Sequence, residues 1–194
     1  MDQDFIPPHV KFEKQTTVFC QQVKVEKVNV SFKLDETTWT PTVAHQFIDA
    51  PPKVSVLPYD PYENKVICVE HFQIGTLKQK EGPWQLELPT HPISPGMSQI
   101  SAVDTALSKE INCEGLDTEF IGDFYTSPSL SNEKVFVYCA GIDSNEIRSQ
   151  ARIEILTLDE AKEGIYGNYF HDVGTIMALH WLFANQIRLQ KKWQ

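Results

Sequence analysis

Apolar and polar positions alternate through residues 18–34, VFCQQVKVEKVNVSFKL, and a period of two belongs to strands with one face exposed. The spacing predicts an antiparallel meander of about three strands within residues 15–50. Residues 1–14 are polar and marked by Pro7 and Pro8, and are expected to form a loose arm. A sheet of two or three strands is marginal alone, so this piece must pack on the rest of the chain or on a partner.

Pro51 and Pro52 punctuate a boundary, which divides the chain into an N-terminal arm and β subdomain (1–50) and a main domain (51–194). KVSVLPYD reads as a strand, PYEN as its turn and KVICVEHFQI as the returning strand. GPWQLELPTHPI predicts a further short strand closed by SPG. Ser98 can cap the next helix, whose Ile100, Val103, Leu107 and Ile111 fall on one face. DTEFIGDFYTSPSLSNEKVFVYCAGI follows as strand, loop and strand, and ARIEILTL as a last strand. Thr157 and Glu160 form a capping-box pattern at the start of a short helix. The final helix carries Val173, Ile176, Met177, Trp181, Ala184 and Ile187 as an apolar stripe that Leu179 and Leu182 widen. Strands with one helix between them and another at the carboxyl end predict an α/β architecture, a mixed sheet covered on both faces.

Charge narrows the function classes. Seventeen Lys and Arg against 26 Asp and Glu give a net charge of −9, which disfavours nonspecific binding to nucleic acid or to an anionic membrane. The start, MDQDFIPPHVKFEK, has neither a basic nor an apolar core, and no apolar run approaches the length of a span. Cys20, Cys68, Cys113 and Cys139 form no Cys-x-x-Cys pair, and Cys68 and Cys139 lie inside apolar runs as buried thiols. A soluble protein in a reducing cytoplasm is the expectation.

The order of LPYDP, a strand with VEHFQIG, Trp-x-Leu-Glu-Leu-Pro, a loop and helix, then SPSLSNE resembles Nudix hydrolases, in particular the ADP-ribose and sugar-nucleotide pyrophosphatase branch. The closing helix, with Ala178, Leu179, Trp181 and Leu182, is similar as well. The resemblance covers roughly residues 15–190. It implies a Nudix-type α/β/α sandwich with a mixed sheet and an N-terminal antiparallel β subdomain that mediates homodimerisation. It also implies carboxylates of one sequence box that hold magnesium ions against a pyrophosphate and activate water.

Laid on HPISPGMSQISAVDTALSKEIN, that box is degenerate. Its first glycine is His91 and its first glutamate Met97. Its arginine is Thr105, the glutamates that follow are Ala106, Lys109 and Glu110, and its last glycine is Asn112. One carboxylate of the cluster survives, and Lys109 brings an ammonium that would repel a cation if it reached the same side. An arginine–glutamate pair is replaced by Ala44 and His45, and a phosphate-binding arginine by Gln73. Where the resemblance places a general base stand Ser149 and Ala151, with Glu146 and Glu154 as displaced candidates.

No catalytic residue is assigned. Glu87 and Glu110 are the candidate metal ligands, and Trp39, Phe72, His91, Ser127 and Glu133 the candidate ligand-binding residues. The expectation is a catalytically degenerate Nudix-fold protein, a homodimeric partner or a nucleotide or nucleotide-sugar binding module that needs no cofactor. The alternative is a pyrophosphohydrolase using Mg or Mn on displaced carboxylates such as Glu87, Glu110, Glu114, Glu133 and Glu146. A scaffold without a small ligand is a third reading.

Overall fold

The computed structural model describes residues 6–148 and 152–194, and the chain divides into two compact units. One holds the residues up to Pro51 together with Tyr125–Glu133; the other holds Pro52–Phe124 and Lys134–Gln194.

In the first unit, β1 (Val10–Cys20), β2 (Lys24–Phe32) and β3 (Val43–Asp49) form an antiparallel meander in that order. The loose arm expected over residues 1–14 ends earlier than the composition suggests. Val10 already pairs with Phe32 and Phe12 with Val30, because Val10 and Phe12 continue the same alternation that makes the strand. Register shifts after Phe12 and Thr17 bend β1. The Tyr125–Glu133 segment lies along the outer edge of β3: Ile48 N–H donates to the Leu130 carbonyl at 2.7 Å, and the Asn132 side chain accepts from Ala50 N–H at 2.8 Å.

The second unit is an α/β/α sandwich. Its mixed sheet uses β4 (Lys53–Asp60), β5 (Lys65–Phe72), β6 (Trp84–Glu87), β7 (Thr90–Pro92), β8 (Asp117–Tyr125), β9 (Lys134–Gly141) and β10 (Ile153–Thr157). The order along the sheet is β10-β5-β4-β9-β8, with β6 paired to β5 and β7 to β4. β4 and β9 run parallel, while β5 lies antiparallel to β4, β6 and β10. The single strand expected in GPWQLELPTHPI is thus two, split at Leu88 and Pro89. Pro89 has no N–H for a ladder, and its carbonyl accepts from Val56 N–H.

Helix α1 (Gln99–Glu110) covers one face, where Ala102, Val103, Ala106 and Leu107 meet Val54, Val56, Ile67 and Val69. Ser98 caps it as expected, accepting from Ser101 N–H. Ile100 does not join the buried face and is 46% exposed; Ala102 and Ala106 take that side, because small side chains let the helix approach the sheet.

Helices α2 (Leu158–Tyr166) and α3 (Val173–Trp193) cover the other face, and the capping box of Thr157 and Glu160 is present. The stripe expected on α3 is rotated. Gly174, Thr175, Ala178, Leu179, Leu182 and Leu189 are buried, while Val173 and Ile187 are exposed. Small residues at 174, 175 and 178 set the line of closest approach, and the larger apolar residues flank it. Cys68 and Cys139 are fully buried. Among the described residues no helix is long and apolar enough to cross a membrane.

Candidate functional site

Alternation along β5 puts Ile67 and Val69 on the α1 side of the sheet and Val66 and Cys68 on the other. His71 therefore continues the α1 side. On β6, Leu86 packs in the opposite cluster, so Glu87 shares the side of His71. Glu110 is the last residue of α1. Three chemistry-bearing groups from separate elements thus meet at one end of this face.

The imidazole of His71 stands between the two carboxylates. Its Nδ1 lies 3.2 Å from Glu87 Oε2 and its Nε2 lies 2.7 Å from Glu110 Oε2. A neutral imidazole donates from only one nitrogen. With a carboxylate at each nitrogen the favoured state is the imidazolium, and the bonds to Glu110 first and Glu87 second outweigh partial burial and raise its pKa to about 9. Each carboxylate has a further donor: Gln73 Nε2 to Glu87 Oε2 at 2.8 Å, and Thr90 N–H to Glu110 Oε1 at 3.2 Å.

This donor set does not fit a bound divalent magnesium. Mg demands near-octahedral oxygen coordination, whereas here a nitrogen ring separates two carboxylates and is hydrogen-bonded to both. Among the described residues no three His, Cys, Asp or Glu side chains are arranged to hold a metal ion.

The structure places the sequence candidates as follows. Glu87 and Glu110 come together, through His71, which sequence reasoning passed over. The parity of His71 with Ile67 and Val69 was the available signal. Lys109 is exposed, neighbouring helix positions point about 100° apart, and His71 is a cation-capable group against Glu110. Asn112, in the place of the box's last glycine, takes the left-handed conformation at φ 48° that glycine would supply.

His91, on β7, pairs with Val54 and is held below its ordinary pKa by burial and then by Lys109. Phe72 points to the sheet face opposite His71; it packs edge-on against Trp84, which also lies beneath the Arg152 guanidinium at 4.7 Å. Glu154 accepts from the Tyr169 hydroxyl, Glu146 sits in a 3-10 turn, and Glu114 lines a cleft with Asp104, Ser108 and Cys113. Ser149 and Ala151 lie outside the described residues.

Within the first unit, Trp39 lies under the Lys11 ammonium at 4.1 Å. The Ser127 carbonyl accepts from Leu130 and Ser131 N–H, and Glu133 accepts from the Thr126 hydroxyl. This turn borders a largely apolar cavity of about 600 Å³ lined by His45, Gln46, Phe47, Tyr125, Pro128 and Asn132 among others. Rings of Phe47 and Tyr125 in its lining suit a flat molecule.

Comparison with known proteins supplies names for related chains. No family model matches the sequence. The chain is 23% identical to an ADP-ribose pyrophosphatase of Escherichia coli K12 over 150 residues, covering 71% of this chain and 70% of that one. It is 19% identical to an ADP-ribose pyrophosphatase of Haemophilus influenzae, covering 99% of this chain and 94% of that one. A solved structure described as an ADP compounds hydrolase superposes with a TM-score of 0.73 at 16% identity, covering 93% of this chain and 95% of that one. That likeness shows the fold, in keeping with the Nudix-type sandwich that the sequence resemblance implies.

Proposed function

We propose that this chain, a Nudix-fold relative of the ADP-ribose pyrophosphatases, is a homodimeric binding module for a nucleotide or nucleotide sugar and not a turnover enzyme. The observation that carries the reading is His71 seated between Glu87 and Glu110, with a ring nitrogen directed at each. Where the resemblance implies metal-held carboxylates, an imidazolium takes up the charge, and an imidazolium neither accepts a phosphate oxygen into its coordination shell nor lowers the pKa of a bound water. Met97, Ala106 and Lys109, standing where the box has carboxylates, point the same way. Binding does not need those groups: the cavity of about 600 Å³ in the first unit falls within the range of ligand sites. Ser127 and Glu133 shape its bordering turn.

The homodimer is supported by the meander, where Phe12, Val18, Phe19, Val23 and Phe32 are all exposed. Of these, Phe12 and Phe32 share one face of the sheet, and exposed apolar surface on a small sheet calls for cover.

A second reading is favoured by the names of the relatives: hydrolysis of an ADP-ribose-like pyrophosphate with Mg or Mn. It requires the carboxylates to take the metal against His71. One pair of experiments separates the two. Calorimetry with ADP-ribose, with and without chelator, is expected to show metal-independent binding. Incubation of ADP-ribose with magnesium is expected to give no sustained AMP release at about 1 per second, the low end of ordinary turnover. Release at that rate, abolished by Glu110→Gln, establishes the second reading instead.

A further inference from the structure

The sheet face away from His71 carries a cleft of its own. Register puts Glu70 of β5, Trp84 and Leu86 of β6 and Glu154 of β10 on the side of α2 and α3. Tyr169, in the connection between those helices, reaches that end of the sheet, and its hydroxyl donates to Glu154 Oε1 at 2.7 Å. With Glu81 from the turn before β6, these residues border a cleft of about 200 Å³. Small-molecule pockets run from about 300 to 1,000 Å³, so this one has room for a single side chain and not for a nucleotide.

Arg152 shows what its walls recognise. The guanidinium lies 4.7 Å over the Trp84 ring, and its Nη1 donates to Glu70 Oε2 at 2.7 Å. A planar cation is thus held at once by an aromatic face and a carboxylate. That contact neutralises one acid of three. Among the described residues Glu81 and Glu154 have no basic partner, and nothing donates to Glu154 Oε2. The rim is apolar: Phe72 packs edge-on against Trp84, and the two are 51% and 47% exposed.

We propose that this cleft is a docking site for an arginine of a partner polypeptide, whose guanidinium pairs with Glu81 and Glu154 while the residues beside it cover Phe72 and Trp84. A guanidinium suits these walls better than an ammonium does, because its planar fork serves two carboxylates and lies flat on a ring, whereas an ammonium is a strongly hydrated point charge. A free cation would fill the cleft and leave the apolar rim in water, so the charge belongs to a chain. The net charge of −9 draws a basic segment towards the protein. All the residues involved belong to the second unit, and the proposal depends on neither the cavity of the first unit nor the dimer.

The probe is a capped Leu-Arg-Leu tripeptide, followed by the indole N–H resonance of Trp84 and the amide of Tyr169 in ¹H–¹⁵N spectra of the full chain. Saturable shifts with a dissociation constant of about 1 mM or below are expected. The same peptide with citrulline, which keeps the shape and drops the charge, is expected to leave both signals in place. Capped arginine alone should bind about tenfold more weakly, because the rim stays uncovered. Glu81→Gln and Glu154→Gln should each weaken binding of the tripeptide about fivefold, the size of an ion pair at a partly exposed site. Glu81 is exposed, so its variant decides the matter if Glu154→Gln disturbs Tyr169. The absence of a saturable shift, equal shifts with citrulline, an affinity unchanged by Glu81→Gln, or capped arginine binding as tightly as the tripeptide overturns the proposal.

Discussion

Nε2 of His71 lies 2.7 Å from Oε2 of Glu110, joining the fifth strand to the end of the first helix by a charge-assisted bond. Since Glu110 first and Glu87 second raise the His71 pKa from 6.5 to about 9, the folded protein binds this proton more tightly than the unfolded chain does. The associated stability is fully present below pH 6.5 and is lost as pH rises through about 9. Ring-detected NMR of ¹⁵N-histidine protein should show His71 titrating near pH 9, with Glu110→Gln moving it down. A midpoint at or below 6.5 in the wild type would mean that the imidazole is not held between the carboxylates.

The position of Glu87 depends on a contact made one residue later. Leu88 is fully buried, and its N–H donates to Thr175 Oγ1 at 3.2 Å, while that hydroxyl donates to Asp172 Oδ2 at 2.8 Å. Thr175→Val keeps the shape and removes both bonds, leaving a buried N–H without an acceptor. The expected loss is about 1–3 kcal/mol, read as a lower urea midpoint with unchanged slope. A variant as stable as the wild type would show that Leu88 N–H finds another acceptor.

The helix starts and the first hairpin of the main unit were legible because their signals are local: Ser98 before α1, Thr157 with Glu160 before α2, and the turn PYEN between the strand segments KVSVLPYD and KVICVEHFQI. The rotation of α3 was not. Val173 and Ile187 look like core by hydrophobicity, yet closest approach is decided by Gly174, Thr175 and Ala178, whose small size matters only once the facing sheet is known. The candidate site was half legible for a related reason. Glu87 and Glu110 could be named from the box pattern, but His71 lies 16 residues from one and 39 from the other. Only pairing of β5 with β6 and docking of α1 bring it between them.

Asp60 is 1% exposed at the end of β4 and accepts four bonds: Oδ1 from Tyr62 and Glu63 N–H, and Oδ2 from Ser144 N–H and hydroxyl. Burial pushes its pKa up, but these donors together outweigh it and hold the carboxyl below its ordinary value of 3.8. The sign is opposite to that of His71: the contribution is present above pH 3.8 and is lost as pH falls through the lower folded value. Asp60→Asn presents an amide NH₂ to two donors and is expected to cost about 2–3 kcal/mol at neutral pH. The difference from wild type should shrink on acidification in thermal melts, and a constant difference down to low pH would contradict the charged role.

The meander should hold two chains together. Val10 pairs with Phe32 and Phe12 with Val30, so Phe12 and Phe32 share one face of the first unit, and they are 42% and 40% exposed. Two phenylalanines left in water on a three-stranded sheet forgo burial worth about 1.5–3 kcal/mol for each side chain fully covered. A second copy presents the same apolar face, and a two-fold contact buries both at once. Sedimentation equilibrium should therefore give about twice the chain mass of 22.2 kDa. Replacing both phenylalanines by glutamate places four like charges in the contact of a chain already at −9, and should return the mass to that of one chain while the far-ultraviolet dichroism stays native. Wild-type protein that remains at 22.2 kDa at high concentration would show that Phe12 and Phe32 are not covered by a second copy.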